Sequence, residues 1–152
     1  MRHESKSLEE TRNIGKKVLL ELVAGRKSDG ALVLVCSGDL GSGKTAFTKE
    51  LAKILGVKDE VTSPTFVIQK KYTIPEKAKN RFGFSRLVHI DAYRIENINE
   101  LKPIHLKETA EDRNNLVVIE WGEKIKKGLP KTYSTLHFLY LDENTRQITL
   151  LK

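Results

Sequence analysis

Gly38, Gly43, Lys44 and Thr45 stand in the spacing G-x-x-x-x-G-K-T within the stretch SGDLGSGKT, residues 37–45. That spacing suits a polyphosphate. Glycines let successive backbone N–H groups point into one concavity with no side chains in the way. A helix starting at the end of the loop adds the positive end of its dipole. In such a loop the lysine reaches the β- and γ-phosphates, and the threonine hydroxyl serves a magnesium ion. The bland alternative is a glycine turn that merely joins a strand to a helix; a chance match at every fixed position in a chain of this length is on the order of half a percent. The guanine signature N-K-x-D is absent, as is a D-x-x-G switch after a strand, so ATP is the expected nucleotide.

Phosphoryl transfer also needs a carboxylate near the magnesium and a group that orients the attacking water. Two acids close apolar runs: LVHID ends at Asp91 and LVVIE ends at Glu120. Either could be the metal acid if both strand ends face the phosphate loop, and the residues alone do not choose between them. The bland reading of each is a strand-terminal acid facing solvent. The segment TSPTF, residues 62–66, sets the hydroxyls of Thr62, Ser63 and Thr65 around Pro64. Proline fixes its own φ and holds the preceding residue extended. One connection beyond the loop's helix is where switch segments sense a γ-phosphate; a plain strand-entry loop fits equally well.

These groups need elements to hold them. ALVLVCS (31–37) is a short continuous apolar run, the pattern of a buried strand, and it leads straight into the glycine loop. KTAFTKELAKIL (44–55) reads as the helix that follows, stopping at Gly56. Ahead of them, residues 7–25 read as an opening helix. Ser7 and Glu10 form a capping-box pattern, Ile14, Val18 and Leu22 share one face, and Gly25 is the stop. Strands are expected at 65–73, 86–91 and 116–120, a short helix around 105–113, and a closing hairpin from 134–142 and 146–152. Residues 70–86 read as a basic solvated loop. The expected fold class is α/β, with a mixed, partly antiparallel central sheet flanked by helices.

The 152 residues fit one domain, 1–152, with 39% apolar residues to build a core. No run approaches the roughly 18 apolar residues of a membrane span, and MRHESKSLEE has no apolar stretch of a secretory signal. The single cysteine, Cys36, sits in an apolar run and excludes an internal disulfide framework. A cytoplasmic protein with no membrane partner is expected. The net charge of +7 favours polyanionic partners, either RNA or an acidic protein face.

In this order and at these spacings, GDLGSGKT, SPTF, HIDAYR and VVIEW resemble the TsaE (YjeE) family, bacterial P-loop ATPases of the tRNA threonylcarbamoyladenosine pathway. The opening EETRNIGKKV and closing RQITL are similar to the family's ends, so the resemblance covers nearly the whole chain. It implies a single P-loop NTPase domain that binds ATP or ADP with Mg2+. It also implies an accessory ATPase for the TsaD–TsaB pair, which transfers a threonylcarbamoyl group to an adenosine beside the anticodon. Hydrolysis would be slow alone, raised by the partners, and used to reset the complex; tRNA would be met through that complex. Residue by residue, the resemblance places the phosphate loop on Asp39, Leu40, Gly41, Ser42, Gly43, Lys44 and Thr45. It makes Glu120, with Thr45, the magnesium set, and Asp91 a second acid near the γ-phosphate. Lys44, Asp91 and Glu120 are then the catalytic residues, and Thr11, Trp121 and Arg146 touch or lie near the nucleotide. Arg94 is either a source of positive charge or a solvated arginine. Ala92 replaces a common leucine, His105 replaces a frequent glycine, and Thr62 has no evident role.

Two other classes are open to the same residues. A small-molecule kinase would carry an arginine-rich lid, but the basic stretch holds only Arg81 and Arg86. A nucleotide-gated binding module would need occupancy without turnover, against which the two acids argue.

Overall fold

The computed structural model describes residues 1–151. Its strands and helices run β1 (Arg2–Ser5), α1 (Leu8–Ala24), β2 (Leu32–Ser37), α2 (Lys44–Ile54), β3 (Gln69–Thr73), α3 (Glu76–Phe82), β4 (Arg86–Asp91), α4 (Leu106–Glu111), β5 (Asn115–Glu120), β6 (Ser134–Tyr140) and β7 (Arg146–Leu151). Two 3₁₀ segments, Ile98–Ile104 and Gly122–Gly128, flank α4 and β5. The strands form one seven-stranded sheet in the order β1-β7-β6-β2-β5-β4-β3. Its middle, β6-β2-β5-β4, is parallel, and β3, β7 and β1 join antiparallel, so the sheet is mixed as expected.

Both faces of the middle strands are covered, which is why these runs are continuously apolar. Period-two alternation sorts their side chains. Leu32, Leu34, Cys36, Leu116 and Val118 join the core beneath α1 and α2. Val33, Val35, Val117 and Ile119 join a second core beneath the 3₁₀ segments and α4. In α1 the expected stripe Ile14, Val18 and Leu22 is buried. Its cap differs in one detail. Ser7 Oγ accepts from Glu10 N at 3.1 Å, but the Glu10 carboxylate reaches back to Lys6 N at 2.6 Å, one residue before the cap.

Several expectations need correction. The strand expected at 65–73 spans only Gln69–Thr73. Gln69 N bonds to Val67 O at 2.7 Å and Ile68 has φ +65°, so the chain turns there, leaving Phe66 83% exposed. The basic loop contains α3, framed by Pro75 before it and Gly83 after it. β1 and the 3₁₀ segment Gly122–Gly128 are additional elements. The helix expected around 105–113 is shorter, at Leu106–Glu111. The closing hairpin forms; Lys152, the last residue expected in it, lies outside the described residues.

Candidate functional site

The carboxyl ends of β2, β4 and β5 meet the glycine loop at one edge of the sheet. Gly38 leaves β2 at φ +137°, and a Cβ there would lie 2.3 Å from Phe138 O, so only glycine lets the chain turn beneath β6. No side chain among the described residues caps α2. Residues Gly43 to Ala46 at its start line a cavity of about 720 Å³, within the roughly 300–1,000 Å³ of small-ligand sites.

Lys44 is 5% exposed. Its ammonium donates to Gly38 O at 2.5 Å and Asp39 O at 2.8 Å, and stands 4.0 Å over the Trp121 ring. Burial pushes its pKa down, while the charges of Glu120 and Glu123 pull the other way. Trp121 takes this place because its backbone is left-handed (φ +60°) and its N–H bonds to Cys36 O at 3.1 Å. The next residue must be glycine, since a Cβ on Gly122 would lie 2.4 Å from Val35 Cγ1.

Asp91 and Glu120 are directly paired in parallel register on adjacent strands, both almost wholly buried. Glu120 Oε2 accepts from Thr45 Oγ1 at 2.8 Å, and its Oε1 lies 2.7 Å from His89 Nε2. Asp91 Oδ2 accepts from Ser63 Oγ at 3.1 Å and Thr65 Oγ1 at 2.9 Å, and its Oδ1 accepts from Tyr93 N at 2.9 Å. The TSPTF segment is thus tied to one of the two acids by its hydroxyls. Neither acid faces open solvent.

At the other end of the cavity stand Thr11 and Arg146. Thr11 Oγ1 is 2.7 Å from Ser5 Oγ, and the Arg146 guanidinium donates to Asp142 O at 2.7 Å and stacks 4.5 Å from the Tyr140 ring. Leu40, Gly41, Ser42, Gly43, Lys44, Thr45, Asp91, Glu120 and Trp121 all line the same cavity. Asp39 is the exception: it is exposed and off the cavity wall, contributing only its carbonyl oxygen to Lys44. Arg94 also lies outside, exposed, with its guanidinium 4.3 Å over the Phe66 ring. Thr62 accepts from Lys70 Nζ. Ser5, Ser7, Tyr93 and Asn144 line the cavity without a sequence signal. His89, behind the cavity wall, is placed by the sequence only as far as its strand: two residues before Asp91, hence on the same face.

No cluster of three or more His, Cys, Asp or Glu residues suited to a metal occurs among the described residues. The pair that converges, the Thr45 hydroxyl and the Glu120 carboxylate, fits magnesium in its usual manner, with one or two protein oxygens and the rest from phosphates and water.

A sheet with a parallel centre, a glycine loop opening onto α2, and a Thr–Glu pair at the strand ends define a P-loop nucleotide-binding fold. Residues 5–148 match the family described as threonylcarbamoyl adenosine biosynthesis protein TsaE. The chain is 33% identical over 150 residues to the TsaE protein of Treponema pallidum, covering 99% of both chains. It is 32% identical over 151 residues to that of Rickettsia prowazekii, covering 99% of this chain and 94% of the relative. Among solved structures, YdiB from Bacillus subtilis superposes with a TM-score of 0.71 at 28% identity, over 99% of this chain and 83% of that one. The chain belongs to the TsaE family.

Proposed function

We propose that this protein is an accessory ATPase of tRNA threonylcarbamoyladenosine biosynthesis that binds and hydrolyses ATP with magnesium to drive or reset a TsaD–TsaB complex. The observation that carries the reading is the Thr45–Glu120 hydrogen bond at the mouth of the glycine loop, with Asp91 on the next strand. Magnesium bound there would neutralise phosphate charge. Thr45 and Glu120 would hold it. Lys44 would exchange its bonds to the loop carbonyls for bonds to phosphate oxygens. Asp91 would orient water, and Ser63 and Thr65 would report through it to the exposed segment around Phe66. Thr11 and Arg146 would border the rest of the nucleotide. The setting is cytoplasmic, and tRNA is met through the complex; no described helix is long and apolar enough to cross a membrane.

The test is ATP turnover by the purified protein, alone and with a TsaD–TsaB pair from the same organism. Slow turnover strongly raised by the pair is the expected result, and turnover indifferent to the pair would sink the pathway assignment. Lys44→Ala should lower the stimulated rate by about 10²–10³-fold. The bonds that tie Asp91 to Ser63 and Thr65 favour a second reading, in which occupancy alone gates a partner. Glu120→Ala separates the two: if it binds ATP and supports tRNA modification at full rate, hydrolysis is dispensable.

A further inference from the structure

His89 belongs to neither the cavity wall nor any role above, yet it makes the most enclosed polar contact near the site. Strand alternation puts it on the face of β4 that carries Asp91. In parallel register, Val118 stands opposite His89 and Glu120 opposite Asp91, so His89 reaches Glu120 diagonally. The ring is fully buried, the Glu120 side chain is 2% exposed, and Nε2 lies 2.7 Å from Oε1. The two oxygens of Glu120 therefore have different partners, Oε1 with His89 and Oε2 with Thr45. The other ring nitrogen, Nδ1, is buried without a partner among the described residues. A proton there would be a buried donor with no acceptor, costing on the order of 1–3 kcal/mol. The 2.7 Å contact accordingly places a ring proton on Nε2, donated to Glu120.

We propose that His89 is a positioning residue: its Nε2–H fixes the plane of the Glu120 carboxylate, so that Oε2 is presented beside Thr45 where the cation is held. The terminal torsion of a glutamate is broad, and without a donor at Oε1 the single hydrogen bond from Thr45 would leave the carboxylate plane free to turn about it. This inference rests on the reading of Thr45 and Glu120 as the magnesium-holding pair. Donors of this kind behind a metal ligand typically alter metal affinity 10–100-fold. A histidine that only filled space would instead lower stability and leave cation affinity untouched.

His89→Gln keeps an amide donor near the position of Nε2. His89→Asn, of similar size, places its amide near Nδ1 and leaves Oε1 without a donor. For each variant, Trp121 fluorescence would give the half-saturating Mg2+ for the ADP complex, alongside ADP affinity in EDTA. Wild type and Glu120→Ala come first: if Mg2+ has no effect on the former, or the same effect on both, the metal reading itself fails and this inference with it. Given that dependence, His89→Gln should stay within about threefold of wild type. His89→Asn should need about 10–100-fold more Mg2+, with ADP affinity in EDTA unchanged in both. Equal Mg2+ requirements for the two variants, or a parallel loss of affinity in EDTA, would overturn the proposal. Should His89→Asn not fold, ¹⁵N-edited NMR of the wild-type ring decides: the Nε2–H tautomer supports the assignment and the Nδ1–H tautomer ends it.

Discussion

Trp121 holds a left-handed backbone at the end of β5, and its ring is the platform on which the Lys44 ammonium rests at 4.0 Å. Such a contact is worth about 0.5–2 kcal/mol, depending on how far it is desolvated. A polyphosphate bound in the loop would compete for the same ammonium. Because Trp121 is the only tryptophan, its emission should change on adding ADP or ATP with magnesium. Lys44→Ala should shift the free-state emission and remove most of that response. Constant emission at saturating nucleotide would place the ring away from the ligand. At this scale the site was legible where chemistry is written in local spacing, as in the glycine loop and the acids that end apolar runs. It was illegible where it depends on neighbours across strands. Nothing in the sequence says that Ser63 and Thr65 reach Asp91, or that His89 reaches Glu120, because those contacts span 26 to 31 residues.

Helices and strands show the same division. β2, α2, β4 and β5 follow from apolar runs and helical spacing. β1 does not, since RHES has no apolar pattern and pairs only because β7 offers an edge. The apolar letters of TFVI suggested a strand, but Phe66 and Val67 are exposed at a turn that carries Thr65 to Asp91. α3 had a signal in Pro75 and Gly83, since proline favours helix starts and glycine favours their ends. His105 links the 3₁₀ segment Ile98–Ile104 to α4 at φ +50°, ψ +47°. A side chain there meets its own backbone, and a glycine would not. His105→Gly should raise stability by about 0.5–1 kcal/mol in urea denaturation. A loss of stability would mean that the imidazole makes a compensating contact.

Across the whole molecule, α1 and α2 pack on one face of the sheet and are joined by Glu50, whose carboxylate is 2.7 Å from Arg12 Nε and 2.6 Å from Lys53 Nζ. Burial alone would push Glu50 up. The hydrogen bonds and charges of Lys53 and Arg12 outweigh it and hold the group below the usual carboxylate range. A folded pKa below the unfolded one gives stability that is complete above the unfolded value, about 4.3. That stability is lost as pH falls through the folded value. Glu50→Gln should therefore cost about 1 kcal/mol at pH 7 and almost nothing in strong acid, since the partners are half exposed and well solvated. Urea midpoints at pH 7 and pH 3 would check it, and a cost that persists undiminished in acid would assign the effect to packing.

The first and last strands of the sheet are hydrogen-bonded neighbours, and Leu150 N reaches Met1 O at 2.7 Å. Ser5, the hydroxyl partner of Thr11, ends β1, and Arg146 opens β7, so strands far apart in sequence meet along the same cavity. During synthesis Ser5 and Thr11 emerge first, then the glycine loop and the acids of β4 and β5, while β7 with Arg146 is still to be made. Pairing at such sequence separation comes late in folding. A nascent chain that exposes β5 but not yet β7 thus carries a phosphate loop without a finished pocket, and Arg146 joins the site only once β7 pairs with β6 and β1.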